Sequence, residues 1–290
     1  MQLFVNDLTV IDCSYLCFQR GMVGESWIVD VVLDGGLDQQ NMVLDFGHVK
    51  KIIKKTIDDV LDHRLLVPVY AKQVDIVSTA SESKLAFESQ QGMIALSCPN
   101  AAFAMINTDV IDFKSVSDFL QSELKKVLPR NINKVELSLR CEQFDTPYYH
   151  YSHGLKKHDG NCQRIAHGHR SPIKIFENGK QSFELETQWA ERWQDIYLAS
   201  VEDCCAIESL HMIDDLLVNQ TSHYGFSYSA PQGTFQLVMP KATCQIIPHD
   251  TTVELLAQYI ATELKKLNQQ NKYKVIAFEG VGKGAIAEME

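Results

Sequence analysis

The sequence predicts an α+β protein built from two copies of one β-β-α-β-β-α-β module. The segments QGMIALSCPNAAFAMI, from Gln91, and QGTFQLVMPKATCQII, from Gln232, align without a gap. SVSDFLQSELKKVL and LLAQYIATELKKLN then share Glu-Leu-Lys-Lys, and each leads into a strand that ends on a glutamate. A repeat spaced by about 140 residues, with matches at equivalent places in the order of elements, indicates a duplicated unit. We place the modules at residues 1–146 and 147–290.

Hydrophobic periodicity locates the elements of the first module. Apolar residues at period two predict two strands at its start, with a turn near Gly21–Gly24. Asp45 is the predicted N-cap of a helix whose apolar residues recur at helical spacing as far as Leu61. A polar stretch is expected at Ser78–Gln91. The remaining predicted elements are strands at Val67–Val77 and Met93–Ile106, a helix at Ser115–Val127 that ends before Pro129, and a strand at Val135–Cys141.

Composition and net charge argue against several classes of protein. A net charge of −10 argues against a protein that binds nucleic acid or an anionic membrane surface in general. No apolar run approaches the roughly 20 residues that span a bilayer, and the N-terminal residues do not resemble a signal peptide. The 8 cysteines follow no disulfide framework, which is typical of free thiols in a reducing compartment. We therefore expect a cytoplasmic protein.

Histidines are concentrated between Tyr149 and Ile173. His167 and His169 flank one glycine, so in a strand they point to the same side. His153, from a neighbouring strand, would complete three ligands of a tetrahedral metal and leave the fourth position open. The ligand type favours zinc, although a histidine-rich loop can also be a solvated surface.

Three further features carry candidate chemistry. Cys162 lies among basic residues that favour its thiolate, so it is either a base or nucleophile, or a fourth zinc ligand. Asp62 and His63 are adjacent after the long helix, an arrangement suited to acid–base work that also occurs by chance in solvent. Glu142 and Glu279, at the ends of apolar strands, could bind an aminopyrimidine edge or be ordinary solvated strand ends.

Taken together, these motifs resemble the 6-pyruvoyl-tetrahydropterin synthase / 6-carboxytetrahydropterin synthase family. His153, Cys162 and HGH at His167–His169 resemble its metal half, while VLDF at Val43–Phe46 and LDH at Leu61–His63 resemble its helix half. Thr252, Glu254 and Ala257 resemble the start of the family's second helix, and Glu279 resembles the glutamate at the end of its last strand. The resemblance implies tandem T-fold modules, each an antiparallel sheet with two helices on one face, that oligomerise into a barrel.

The two modules depart from the family pattern in complementary ways. Alignment places Ser14, Val23 and Glu25 of the first module where the family has its histidines. The second module retains the metal set but has no L-D-H after its first helix. In the family, the Asp-His pair comes from the neighbour of the subunit that holds the metal. The sequence therefore predicts one complete site per chain, assembled from two half-sites.

The resemblance implies a zinc-dependent lyase that acts on a pterin triphosphate such as 7,8-dihydroneopterin triphosphate. His153, His167 and His169 would hold Zn²⁺. Cys162, Asp62 and His63 would be catalytic, and Glu279, with Glu254 and Thr252, would bind the pterin. Carboxy- and pyruvoyl-forming members share these residues, and we favour the carboxy-forming activity of queuosine precursor synthesis. The alternatives are an inactive paralogue that binds pterin or metal, and a zinc hydrolase. The basic residues beside Cys162 are candidates for phosphate binding, although they are equally expected as solvated side chains: Lys156, Lys157, Arg164 and Arg170.

Overall fold

The computed structural model describes residues 1–37, 39, 41–214 and 216–290. The first half of this described chain contains β1 (Gln2–Cys17), β2 (Gly21–Gly35), α1 (Phe46–Val60), β3 (Leu65–Pro68), β4 (Val74–Ser78), β5 (Glu82–Ser89), β6 (Gly92–Pro99), β7 (Phe103–Ile106), α2 (Phe113–Lys125) and β8 (Ile132–Cys141). The second half contains β9 (Tyr148–His153), β10 (His167–Glu177), β11 (Lys180–Gln181), α3 (Phe183–Arg192), β12 (Ile196–Ser200), β13 (Cys204–Cys205), β14 (His223–Ala230), β15 (Gly233–Pro240), β16 (Cys244–Ile247), α4 (Val253–Leu267), β17 (Tyr273–Phe278) and β18 (Gly284–Met289). None of these helices combines the length and apolar character needed to cross a bilayer.

The two halves share one strand topology. The first sheet has the order β7-β3-β1-β2-β8, and the second has β16-β12-β9-β10-β17-β18, with β11 paired to β10. In both sheets the central hairpin is antiparallel. The strand after the first helix of each half, β3 or β12, adds to this hairpin in parallel, and the strand before the second helix, β7 or β16, adds in parallel to that strand. The predicted α+β class is confirmed, with two parallel pairs in each otherwise antiparallel sheet.

Helices cover one face of each sheet. Val49, Ile53 and Ile57 of α1 are buried and pack with residues of α2 and the first sheet. Asp45 is the N-cap of α1, because its side chain accepts a hydrogen bond from the backbone N–H of His48 at 2.9 Å. In the second half, α3 and α4 pack in the same way around the buried Trp193.

A third sheet joins the halves through a local twofold relation. Its order is β13-β14-β15-β6-β5-β4, with β6 from the first half paired to β15 from the second. In this register Leu96 pairs with Leu237, its own counterpart in the sequence repeat. The core beneath the sheet draws on both halves, including Phe87 and Phe226. The two halves therefore form one continuous structure.

The central hairpins of the two halves also pack against each other near the same twofold relation. Ser14 of β1 and Ser152 of β9 are hydrogen-bonded through their hydroxyls at 2.7 Å. A Cβ on Gly24 would collide with the backbone of Tyr151, and one on Gly168 would collide with the Cα of Gly24. These glycines are required because two backbones approach closely here.

Three local predictions were wrong. The first hairpin turns at residues 18–20, before Gly21, because β1 and β2 are longer than their alternating apolar residues indicate. The stretch Ser78–Gln91 contains a strand, β5, whose inward residues include Ser83 and Ser89 beside Leu85 and Phe87. Two segments predicted as single strands each form two strands that belong to different sheets: Val67–Val77 and Met93–Ile106.

The contact between the halves at Gly233 gives a stability prediction. A Cβ at Gly233 (φ 134°) would lie 2.6 Å from Cγ of Pro99, a residue of the other half. We expect Gly233→Ala to lower the free energy of unfolding by about 2–3 kcal/mol, from backbone strain and overpacking together. Gly179 also has a positive φ, 81°, but open space around it, so Gly179→Ala isolates the strain and should cost about 1 kcal/mol. Equal losses in urea unfolding would contradict a tight contact at Pro99.

Candidate active site

The histidine cluster lies on the central hairpin of the second half. His153 on β9 pairs with His167 on β10, and His169 follows two residues later on the same side of β10. All three side chains are buried. Their ligand atoms lie within 4.8 Å of one another.

Among the described residues, Nε2 of each ring has no hydrogen-bond partner, and neither has Nδ1 of His169. Nε2 of His153, His167 and His169 is buried without a hydrogen bond. On the opposite side of the rings, Nδ1 of His153 lies 3.0 Å from Oγ1 of Thr251, and Nδ1 of His167 lies 2.9 Å from the backbone oxygen of Arg164. Buried polar atoms are rarely left unpaired, and three imidazole nitrogens are suitable zinc ligands. The residues therefore fit a bound zinc ion.

The surroundings keep two of these histidines neutral. Burial lowers the pKa of His153 well below its ordinary value, and the neighbouring His169 adds to this effect. Burial likewise lowers the pKa of His167, followed by the effect of the imidazoles around it. A neutral imidazole has the free lone pair that metal binding needs.

The Asp-His pair of the first half lies against this cluster. The ligand atoms of His63, Cys162 and His167 lie within 4.8 Å of one another, and the rings of His63 and His167 are 5.1 Å apart. Oδ2 of Asp62 is 2.6 Å from Nδ1 of His63. Burial lowers the pKa of His63, but hydrogen bonds to Asp62 and Cys162 outweigh it and raise the pKa to about 10. Residues separated by about 100 positions thus meet in one site.

The backbone fixes His63 in this place. His63 adopts a left-handed conformation, with φ 54°, at the corner between α1 and β3. Its backbone N–H donates to the carbonyl of Asp12 at 2.7 Å, and Oδ1 of Asp62 accepts from the backbone N–H of Asp12 at 2.8 Å. Non-glycine residues in this conformation are uncommon, and they occur at functional sites where the surroundings hold them.

Cys162 lies on the loop between β9 and β10, which the other half helps to fix. Arg164 donates from Nη1 to the backbone oxygens of Asp62 at 3.3 Å and His63 at 3.4 Å, and from Nε to the side chain of Gln232 at 3.1 Å. Its buried guanidinium therefore links the Cys162 loop to the Asp-His corner. Cys162 groups with His63 and His167 and is not in the three-histidine group.

The residues that the resemblance assigns to pterin binding do not all lie close to the histidine cluster. Oε1 of Glu279 is 3.9 Å from Nε2 of His169, beside the unpaired nitrogens. Glu254 is exposed in the first turn of α4, and Thr252 is the half-buried N-cap of that helix. The residue beside the histidine cluster is the buried Thr251, whose Oγ1 lies 3.0 Å from Nδ1 of His153. The resemblance implied Thr252, whereas the turn before α4 brings its neighbour to the cluster.

The basic residues near Cys162 have partners on the protein. Lys156 pairs with Asp203 at 2.6 Å, and Lys157 with Asp250 at 2.8 Å. Arg170 is buried and lies 4.0 Å from the ring centroid of Tyr148. These contacts make phosphate binding by Lys156, Lys157 and Arg170 less favourable, because each side chain already has a partner on the protein.

Asp12 is a component of the site that sequence reasoning missed. Its Oδ1 lies 3.2 Å from Nδ1 of His169, although it belongs to the other half of the chain. Oγ of Ser26 donates to Oδ1 at 2.5 Å, and Nζ of Lys283 donates to Oδ2 at 3.2 Å. Burial disfavours the carboxylate, but these partners, His169 foremost, outweigh it and lower its pKa. No motif marks Asp12, because its role depends on how the two hairpins pack.

The local twofold relation places a counterpart cluster in the first half. By strand register, Tyr15, Val23 and Glu25 occupy the positions of His153, His167 and His169. The alignment that put Ser14 at the first of these positions was wrong by one residue, because Ser14 is equivalent to Ser152. A phenol, an aliphatic side chain and a carboxylate thus stand where the second half has its three histidines.

An ion pair replaces the Asp-His corner in this counterpart cluster. Asp195 is equivalent to His63 by register and has nearly the same φ, 57°. Its carboxylate accepts from Nε of Arg20 at 2.8 Å and from Nη2 at 2.5 Å, and Nη1 of Arg20 donates to the Tyr15 hydroxyl at 3.2 Å. The polar side chains of the counterpart cluster, Arg20, Asp195 and Tyr15, are therefore bound to each other.

Comparison with known proteins supports the resemblance seen in the motifs. Residues 19–91 match the family model of 6-pyruvoyl tetrahydropterin synthase. The 6-pyruvoyl tetrahydropterin synthase of Plasmodium vivax is 18% identical with a TM-score of 0.40, over 50% of this chain and 93% of that chain. The Plasmodium falciparum enzyme is 17% identical with a TM-score of 0.39, over 48% of this chain and 90% of that chain. No curated protein matches. The family model thus matches part of the first half and names the family that the motifs resemble.

The counterpart cluster gives a prediction for stability against pH. Burial raises the pKa of Glu25 from 4.5 to about 7, against the opposing effects of the Ser26 N–H, Arg170 and Arg20, and with a contribution from Asp195. The adjacent His150 is neutral near pH 7 and gives Glu25 no positive charge, because burial lowers the pKa of His150 to about 4. Ionising Glu25 is harder in the folded state, so its contribution to stability is complete below pH 4.5 and is lost as pH rises through about 7.

We therefore expect Glu25→Gln to be more stable than the wild type at pH 8, by up to about 3 kcal/mol. Its advantage should shrink steadily towards pH 4.5. Thermal unfolding of both proteins across this range measures the effect, with the exposed Glu88→Gln as the control for the substitution itself. A wild type that is the more stable protein at pH 8 would contradict the prediction.

Proposed function

We propose that this chain, a relative of the 6-pyruvoyl tetrahydropterin synthases, is a zinc-dependent lyase acting on 7,8-dihydroneopterin triphosphate. Its modules, residues 1–146 and 147–290, share one active site, and we favour 6-carboxytetrahydropterin as the product. The observation that carries the proposal is the position of Asp62 and His63 from the first module against Cys162 and His167 from the second.

His153, His167 and His169 are the residues that would hold zinc. The support is their three buried and unpaired Nε2 atoms. The chemistry supplied by a bound zinc is polarisation of the substrate side-chain oxygens, which acidifies the neighbouring C–H bonds. Glu279 lies beside this position, with Oε1 3.9 Å from His169, and its carboxylate can accept two hydrogen bonds from the N–C–N edge of a pterin.

Cys162, His63 and Asp62 form the proton-transfer unit. Asp62 occupies Nδ1 of His63 at 2.6 Å, so Nε2 is the nitrogen left to exchange a proton with the Cys162 thiol. A histidine that can be positively charged favours the thiolate beside it, and the thiolate can remove a proton from the substrate side chain. Asp62 holds the imidazole in one orientation and stabilises its charged form, as carboxylates do in other acid–base units.

The surroundings of Cys162 also bear on its alternative role. Cys162 lies with His63 and His167 and outside the three-histidine group, which favours a base over a fourth zinc ligand. All 8 cysteines are free thiols, which supports the proposed location in the reducing cytoplasm. By analogy with the family, we further propose that the chains form a homo-oligomeric barrel, with Glu254 and Thr252 completing the pterin site.

Turnover is the direct test of this proposal. Purified protein loaded with zinc and incubated with 7,8-dihydroneopterin triphosphate should release triphosphate and form 6-carboxytetrahydropterin or its 6-pyruvoyl analogue. Liquid chromatography with mass spectrometry distinguishes the two products. Recovery of bound but unreacted substrate would instead support an inactive pterin-binding paralogue, and no binding at all would remove the pterin from the proposal.

Substitution of His63 tests whether the site is shared. We expect His63→Ala to lower kcat by about 10²–10⁴-fold, the range lost with a general acid or base, while zinc content stays unchanged. His167→Ala should lose zinc as well as activity. His48→Ala is a matched control, because His48 is exposed on α1 of the same module. Full turnover by His63→Ala would show that the first module does not supply the acid–base group.

A further inference from the structure

The carboxylate of Asp12 is enclosed by three segments that converge on one zinc-site histidine. Asp12 lies on β1, Ser26 lies on β2, and Lys283 comes from the turn between β17 and β18. Gly280 of that turn (φ 71°) lies so near that an added Cβ would be 2.5 Å from Oδ1 of Asp12. With 4% of Asp12 exposed, the carboxylate has a fixed position, and His169 lies 3.2 Å away.

His169 differs from the other two histidines in what lies beside its Nδ1, which forms no hydrogen bond among the described residues. His153 and His167 contact backbone carbonyls or a hydroxyl of their own module. His169 faces a carboxylate, and that carboxylate belongs to the other module. A carboxylate behind a ligand histidine fixes the ring orientation and raises the basicity of the nitrogen that faces the metal.

The counterpart cluster contains an equivalent contact in which the carboxylate and the imidazole have exchanged places. His150 occupies the position of Asp12, Glu25 occupies that of His169, and their closest atoms are 3.7 Å apart. Glu25 is 6% exposed, so it is buried at the same interface and to nearly the same extent as Asp12. Its carboxylate contacts His150, Cys141 and the backbone N–H of Ser26, and among the described residues it forms no hydrogen bond or ion pair with the three zinc-site histidines.

We propose that Asp12 is a positioning residue that orients His169 towards zinc from the opposite module. The first module, which has lost its own ligands, then contributes to the metal affinity of the second as well as to proton transfer. This inference rests on the zinc site of the proposed function. It adds a dependence of zinc binding on the packing between the modules.

Zinc affinity of the full chain tests the proposal without reference to turnover. Metal-free protein is titrated with Zn²⁺ in competition with a chromophoric chelator, and Co²⁺ binding is followed by its visible absorption. We expect Asp12→Asn to weaken zinc binding by about 10–100-fold, the usual effect of removing such a partner. Asp12→Ala, which also removes the hydrogen-bond acceptor, should weaken binding further and change the cobalt spectrum.

Glu25→Gln is the matched control for a buried carboxylate at the same interface. It should bind zinc within about twofold of the wild type. Ser26→Ala keeps Asp12 but removes its 2.5 Å donor, and it provides a milder variant if the Asp12 variants do not fold. We expect Ser26→Ala to weaken zinc binding by about 2–10-fold, because Asp12 is then less firmly held.

Two outcomes would overturn the inference. One is unchanged zinc affinity in the folded Asp12 or Ser26 variants, and the other is an equal loss in Glu25→Gln, which would indicate general damage to the interface. Either result leaves the proposed reaction standing if the wild type converts the pterin triphosphate. Conversely, a wild type that fails to react while Asp12→Asn still weakens zinc binding would refute the reaction and retain the role of Asp12.

Discussion

The site depends on a close approach of two backbones, where the hairpin β1–β2 packs against β9–β10. Gly24 and Gly168 face each other at this point, and the hydroxyls of Ser14 and Ser152 are hydrogen-bonded beside them. A side chain on either glycine would separate the hairpins. Their contact brings Asp12 to His169, and it allows the corner after α1 to reach the Cys162 loop. Without it, the three histidines would have no Asp-His pair beside them.

The twofold relation creates two equivalent positions, and the chain has used them differently. At one position the histidines leave three nitrogens unpaired, while at the other Arg20 and Asp195 bind each other and Glu25 is buried near a neutral histidine. A buried charge needs a partner within the protein. The ion pair meets that need at the counterpart cluster, whereas the neutral imidazoles of the histidine cluster leave buried Nε2 atoms without a hydrogen-bond partner. Only the latter arrangement is suited to receive a ligand.

The sequence predicts the components of this site better than their assembly. The repeat and the helical periodicity indicate the α+β class, and H-x-H in a strand predicts the shared side of His167 and His169 because strand alternation is local. Asp12 and Thr251 have no comparable signal. Their roles follow from packing between segments distant in the chain, and so does the equivalence of Tyr15 with His153. The strand β5 was missed for a related reason, since it carries buried serines and belongs to a sheet to which both halves contribute strands.

Covalent fusion gives a physical reason why the two halves can carry different residues at equivalent positions. When two modules belong to one chain, each always has its partner at a high effective concentration. Residues needed on only one side of the interface can then change on the other side, provided that the interface itself stays closed. The glycines, the serine pair and the joined sheet are the parts that keep it closed. The halves accordingly differ at Tyr15, Val23 and Glu25, which stand opposite the three histidines in the twofold relation, while the Asp-His corner lies against the histidine cluster of the other half.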